Sequence, residues 1–220
     1  MRRNPFAGPY PAQDRNIRAI STTPTVLTVL AVLAGLYLLR LVPSDGLQQF
    51  LLNLSFEPLR FLALILGYRL DPWLPAALSP VTHALLHVDF VHLAVNSGCL
   101  LAFGTEIERR LGGLRFLLLA AVCAIAGAMA VELRFLIVEQ PVIVIGASGA
   151  VSGLFGALVR GMRSHRLLLV TSFLVVNIAI GMTGIPGSEG VMLVAWDAHV
   201  GGFFAGFLLY PLFRYRRAAG

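Results

Sequence analysis

The feature that most constrains this chain is a succession of apolar stretches separated by short polar segments. Several approach the ~20 residues that a membrane-spanning helix needs. With 57% hydrophobic and 13% charged residues and a mean hydropathy of +0.81, the chain lies far from the composition of a soluble domain. A backbone immersed in lipid must satisfy its own hydrogen bonds, which points to an all-α polytopic membrane protein. At 220 residues a single domain is expected. Six spans are predicted, over 25–42, 90–104, 114–135, 148–162, 167–183 and 198–213. They form one domain, 25–213, between a short tail over 1–24 and another over 214–220.

The net charge of +6 suggests nucleic acid until the charges are placed. All seventeen basic residues are arginine. If the side holding the N-terminus is called inside, thirteen lie inside and only Arg40, Arg60, Arg69 and Arg134 lie outside. The bias is topological, with both termini on the cytoplasmic side and no nucleic-acid partner expected. Cys99 and Cys123 fall within spans and read as small packing residues. The first twenty residues lack the apolar run of a signal peptide. Together these features favour a prokaryotic plasma membrane.

The outer segment from about 43 to 81 contains Pro43, Pro58, Pro72, Pro75 and Pro80, so it is not one helix. It is rich in Leu and Phe, and short amphipathic pieces lying in the interface are expected. A seventh span over 47–68 competes, but Glu57, Pro58 and Arg60 at its centre argue against it.

Helical rise gives each polar residue a depth. From Ser148 to Arg160, near the inner interface, is about 18 Å of helix, whereas the hydrocarbon is about 30 Å thick. Ser148 therefore starts a helix that stops short of the outer face. The preceding "PVIVIGA" must complete the crossing as non-helical backbone covered by protein or a cavity, and a cavity opening outward is expected. His199 lies about 22 Å from Arg214, and His92 and Asn96 lie about 21 and 15 Å from Glu106. Three helices thus bring four polar residues to one depth. Asp89 is the expected N-cap of the second span, which sets His92 and Asn96 four apart on one face. That pair reads equally well as hydrogen-bonding glue between helices.

Gly149 and Gly153 form a G-x-x-x-G pair, as do Gly202 and Gly206, which implies close helix packing. Such packing would let the Ser148 hydroxyl reach the His199 imidazole. A serine needs a base to become a nucleophile, so a Ser148–His199 dyad is expected. Asp197 is the carboxylate nearest His199 in sequence, but it points to another face. His92, the Asn96 amide and the Ser148 backbone N–H are the candidate oxyanion donors.

"GASG" at 146–149, "AHVGGFFAG" at 198–206 and "HALLHVDFVHLAVN" at 83–96 together resemble the motifs of the rhomboid intramembrane serine proteases. "ERRLGG" resembles the family's E-x-R-x-G segment through Glu108, Arg110 and Gly112. The resemblance covers roughly 25–213. It implies a six-helix bundle with Ser148 and His199 catalytic and His92 and Asn96 in oxyanion roles. It also implies a mobile fifth helix with a capping loop over about 184–197, and cleavage of single-span membrane proteins near the outer ends of their spans, with no cofactor. Two positions depart from the pattern. Ser152 stands where many relatives carry a tyrosine that stacks on the histidine, with Phe155 a candidate substitute. Leu78 and Ser79 stand where some carry a Trp–Arg pair.

Rival readings are a metal site and an inactive relative that binds membrane clients. His83 and His87 have the i, i+4 spacing of zinc ligands, with His92 and His199 nearby, which would suit a transporter or metalloprotease. Residue 84 is Ala, so the H-E-x-x-H base is missing. Ala150 likewise excludes the G-x-S-x-G elbow of the α/β-hydrolases.

Overall fold

The computed structural model describes residues 23–162, 164–183 and 195–214. The expected tails and most of the expected capping loop lie outside them. The first long helix, α1, is Pro24–Arg40; proline at its first position has the preset φ and lacks only an N–H that would have no partner there. The outer segment then folds into three short helices, α2 (Asp45–Asn53), α3 (Pro58–Ile65) and α4 (Trp73–Thr82). A continuous helix over 47–68 is broken at Phe56, whose backbone N–H and C=O both pair with Val144 at 3.1 and 2.8 Å. Pro58 restarts the helix at a position where its missing N–H is harmless.

The next helix begins as expected at Phe90. Asp89 Oδ1 accepts from the His92 N–H at 2.8 Å, an N-cap that satisfies an otherwise orphaned donor. It runs as α5 (Phe90–Cys99), through a π-helical turn at Leu100–Gly104, into α6 (Thr105–Leu111). It therefore extends a full two turns beyond the predicted end at 104. The charged residues after 104 are accommodated because Glu108 is put to structural use. Its carboxylate accepts from the N–H groups of Thr25 and Val26, at 3.1 and 2.9 Å, and from the Thr23 hydroxyl. A carboxylate thus closes the positive N-terminus of α1. Gly112, at φ +82°, then turns the chain into α7 (Gly113–Val138).

Helices α8 (Ser148–Gly161), α9 (Arg166–Thr183) and α10 (Trp196–Phe213) complete the architecture. The two stretches Phe90–Leu111 and Gly113–Val138 are long and apolar enough to cross a membrane, and Pro24–Arg40 and Arg166–Gly181 are shorter apolar helices. Large apolar side chains such as Val95, Leu133, Ile137, Leu167 and Leu212 point outward, more exposed than buried. Such a belt suits lipid as the surrounding solvent. Among the described residues there is no β-strand.

At the centre, α8 is wrapped by α7 and α10. Its Gly149, Val151, Gly153, Leu154, Gly156, Ala157 and Val159 are all buried. The expected glycine contacts are backbone against backbone. A methyl group at Gly202 would overlap the Gly149 carbonyl, and one at Gly206 would overlap the Gly153 carbonyl. On the α7 side, a Cβ at Gly127 would lie 2.8 Å from the Ala198 oxygen, and Cys123 packs directly on Gly153. Cys123 is fully buried, as a packing residue should be.

Gly202→Val and Gly206→Val should each destabilise the bundle by at least about 1–3 kcal/mol, because the neighbouring atoms are main chain and cannot rotate away. Gly35→Val, with nothing within 4 Å of its Cβ position, should cost far less. Thermal unfolding of the three variants in detergent checks the contrast.

Candidate active site

Ser148 is the first residue of α8, following Gly146 at φ +128° and Ala147. The approach to it, 139–147, is non-helical, as the depth argument required. Protein covers this backbone: Val144 is bridged by Phe56, and the Gly146 N–H donates to the His83 carbonyl at 2.9 Å. Gly146 is needed there twice. Its conformation disfavours side chains, and a Cβ would lie 2.5–2.7 Å from the His92 ring. His92 is thus seated directly over the turn that delivers Ser148.

Asn96 follows one turn later on the same face, buried, with its Nδ2 donating to the His92 carbonyl at 3.1 Å. One N–H of that amide holds the helix; the other has no hydrogen-bond partner among the described residues. The His92 Nδ1 is buried without a hydrogen-bond partner among the described residues. Its ring meets that of His87 edge-on at 5.1 Å. Asn96 and Ser148 line one cavity of about 290 Å³ together with Val95, Cys99, Phe103, Val151, Ser152, Phe155 and Phe173. The cavity runs along α8 from Ser148 to Phe155, between α5 and α9. Ser152 contributes to that space.

His199 sits one turn into α10. Its predecessor Ala198 touches the successor of Ser148, with the Gly149 Cβ position 3.4 Å from the Ala198 oxygen. The glycine seam therefore sets the two residues on adjoining backbones. Asp197 points away, as expected: its carboxylate pairs with Arg134 of α7 and accepts from the Ala198 N–H at 3.0 Å. Phe155 does not support the histidine; its ring packs among Phe103, Phe173 and Phe203 at centroid distances of 5.1–5.9 Å. The support comes from a residue the sequence did not single out. The His199 Nδ1 lies 2.7 Å from Asn177 Oδ1 of α9. An isolated amide in the apolar run "FLVVNIAIG" was the available signal.

His83 and His87 are buried outside this constellation. His83 Nδ1 donates to the Ser79 carbonyl at 2.9 Å, and burial lowers its pKa below the ordinary histidine value, which keeps the ring neutral. Among the described residues no three His, Cys, Asp or Glu side chains are grouped to hold a metal.

The rhomboid domain model matches residues 77–216, which is most of the chain and all of the constellation above. The chain belongs to the rhomboid family. It is an integral membrane protein of mostly helical fold. Among its relatives, Rhomboid protease GluP of Bacillus subtilis (strain 168) is 32% identical over 127 residues, covering 58% of this chain and 24% of the relative. RHOMBOID-like protein 4 of Arabidopsis thaliana is 35% identical over 131 residues, 56% of this chain and 31% of the relative. Putative rhomboid protease YdcA of Bacillus subtilis (strain 168) is 34% identical over 139 residues, 59% and 63% respectively. The matched region thus spans less than two thirds of each of these rhomboids.

Gly146→Ala should displace the His92 ring. The expected result is a shifted His92 resonance in the nitrogen-15 histidine spectrum and a lowered unfolding midpoint. Gly98→Ala, with open space at its Cβ, should change neither.

Proposed function

We propose that this rhomboid is an intramembrane serine endopeptidase that hydrolyses peptide bonds within or near the outer end of the transmembrane segments of single-span membrane proteins. The observation that carries the reading is the contact between the successor of Ser148 and the predecessor of His199, made possible by glycines on both helices. The names of the two Bacillus relatives as proteases add support.

In this reading His199 Nε2 takes the Ser148 proton as Oγ bonds to the carbonyl carbon of the scissile peptide. The oxyanion that develops is met by His92, the free N–H of Asn96 and the Ser148 backbone N–H at the start of α8, where the helix dipole adds positive potential. Collapse breaks the carbon–nitrogen bond, and His199 returns its proton to the leaving amine. Water then attacks the acyl-enzyme, losing a proton to His199, and the released Ser148 recovers it. No cofactor takes part.

The cavity between α5 and α9 would take up substrate side chains beside Ser148. The bundle crosses the bilayer six times, by α1, the α5–α6 rod, α7, α8, α9 and α10. Both termini are cytoplasmic, the site faces the extracytoplasmic side, and the membrane is a prokaryotic plasma membrane. Helices α2 to α4 lie in the outer interface.

A fluorophosphonate serine-hydrolase probe should label the purified detergent-solubilised protein, and neither Ser148→Ala nor His199→Ala should label. Asn96→Ala should slow cleavage of a transmembrane substrate by roughly 10–1000-fold. Folded wild type that neither labels nor cleaves would overturn the protease reading in favour of a client-binding rhomboid.

A further inference from the structure

The fifth long helix, α9, contributes more than a wall. Half of its described residues are exposed and most of the rest half-buried, yet Asn177 is buried at 9% exposure. Two hydrogen bonds fix its amide. The Nδ2 donates at 2.8 Å to the carbonyl of Phe173, one turn back, and a carbonyl only accepts. That settles which amide atom faces His199: it is Oδ1, at 2.7 Å from Nδ1. Because Oδ1 has no proton to give, the ring must donate from Nδ1–H, and a neutral imidazole protonated there leaves Nε2 as an acceptor.

We infer that Asn177 is a positioning residue, holding His199 in the tautomer and orientation in which Nε2 can accept the Ser148 proton. The inference rests on the protease reading above. It assigns to an amide the part that a carboxylate plays in a serine–histidine–aspartate triad. Among the described residues no carboxylate competes for that part, since Asp197 is engaged by Arg134. Nor does an aromatic ring, since Phe155 is packed among phenylalanines. The alternative is plain helix glue, a polar pair that ties α9 to α10 and has no bearing on proton transfer. The stacked rings of Phe173 and Phe203, 4.3 Å apart, and Gly181 against Trp196 already tie these helices together.

The test is the rate of fluorophosphonate labelling of Ser148 in full-length wild type, Asn177→Ala and Asn177→Asp, measured across pH. Asn177→Ala should label roughly 10–100-fold more slowly, comparable to losing the hydrogen-bond partner behind a functional histidine elsewhere. Asn177→Asp should recover most of the rate, because a carboxylate accepts the same Nδ1–H. It should also stabilise the imidazolium. The base is then lost at a higher pH on acidification, so the acid limb of the profile moves upward. The other titratable groups acting on His199 are His92 of α5 and Asp197 of its own helix, and both are unchanged in these variants. Equal rates for wild type and Asn177→Ala would overturn the inference, as would an acid limb in Asn177→Asp that stays at the wild-type pH. If Asn177→Ala does not survive purification, the limb of Asn177→Asp decides alone. Wild type that fails to label overturns the protease reading itself, a result distinct from either.

Discussion

Everything in this molecule depends on how closely α8 and α10 approach. Where Gly149 faces Gly202 and Gly153 faces Gly206, backbone lies on backbone, and a single added methyl group would strike a carbonyl. In lipid, apolar side chains gain little by choosing a helix over an acyl chain, so association relies on tight van der Waals contact and polar bonds. Small residues supply the first. The same seam brings the start of α8 against the start of α10, and that is where Ser148 and His199 are found. Packing and the candidate site are one feature.

Around the seam, polar groups serve as fasteners at helix ends. Glu108 closes the N-terminus of α1. The Arg40 guanidinium reaches the carbonyls of His87 and Val88 just before α5. Arg134 holds Asp197 at the first turn of α10. Each satisfies backbone or charge that the membrane could not solvate. Phe56 does the same for the non-helical segment before Ser148, pairing with Val144 through main-chain bonds. The segment of short helices α2 to α4 is thereby tied to the approach to Ser148.

Much of this was legible in the linear sequence. Helix positions followed from hydropathy, and the starts of α5 and α8 followed from Asp89 and from the distance between Ser148 and Arg160. The end of α5–α6 did not, because charge after residue 104 read as a boundary whereas Glu108 is buried against α1. Phe155 was the candidate substitute for the family's tyrosine beside His199, but an aromatic cluster with Phe103, Phe173 and Phe203 claims its ring. The expected capping loop lies largely beyond the described residues.

The sequence by itself determined the lipid solvent, the helical architecture and the glycine seam, and set Ser148, His199, His92 and Asn96 at one expected depth. These rest on periodicity, composition and helical rise, which are local properties. Only the tertiary structure decided what stands behind His199. Asn177 lies 22 positions away on a different helix, and no spacing rule connects residues whose meeting depends on the rotation of two helices about their own axes. The direction of the amide itself is local, fixed by the Phe173 carbonyl one turn back on α9. Its hydrogen bond to His199 exists only once both helices are in place.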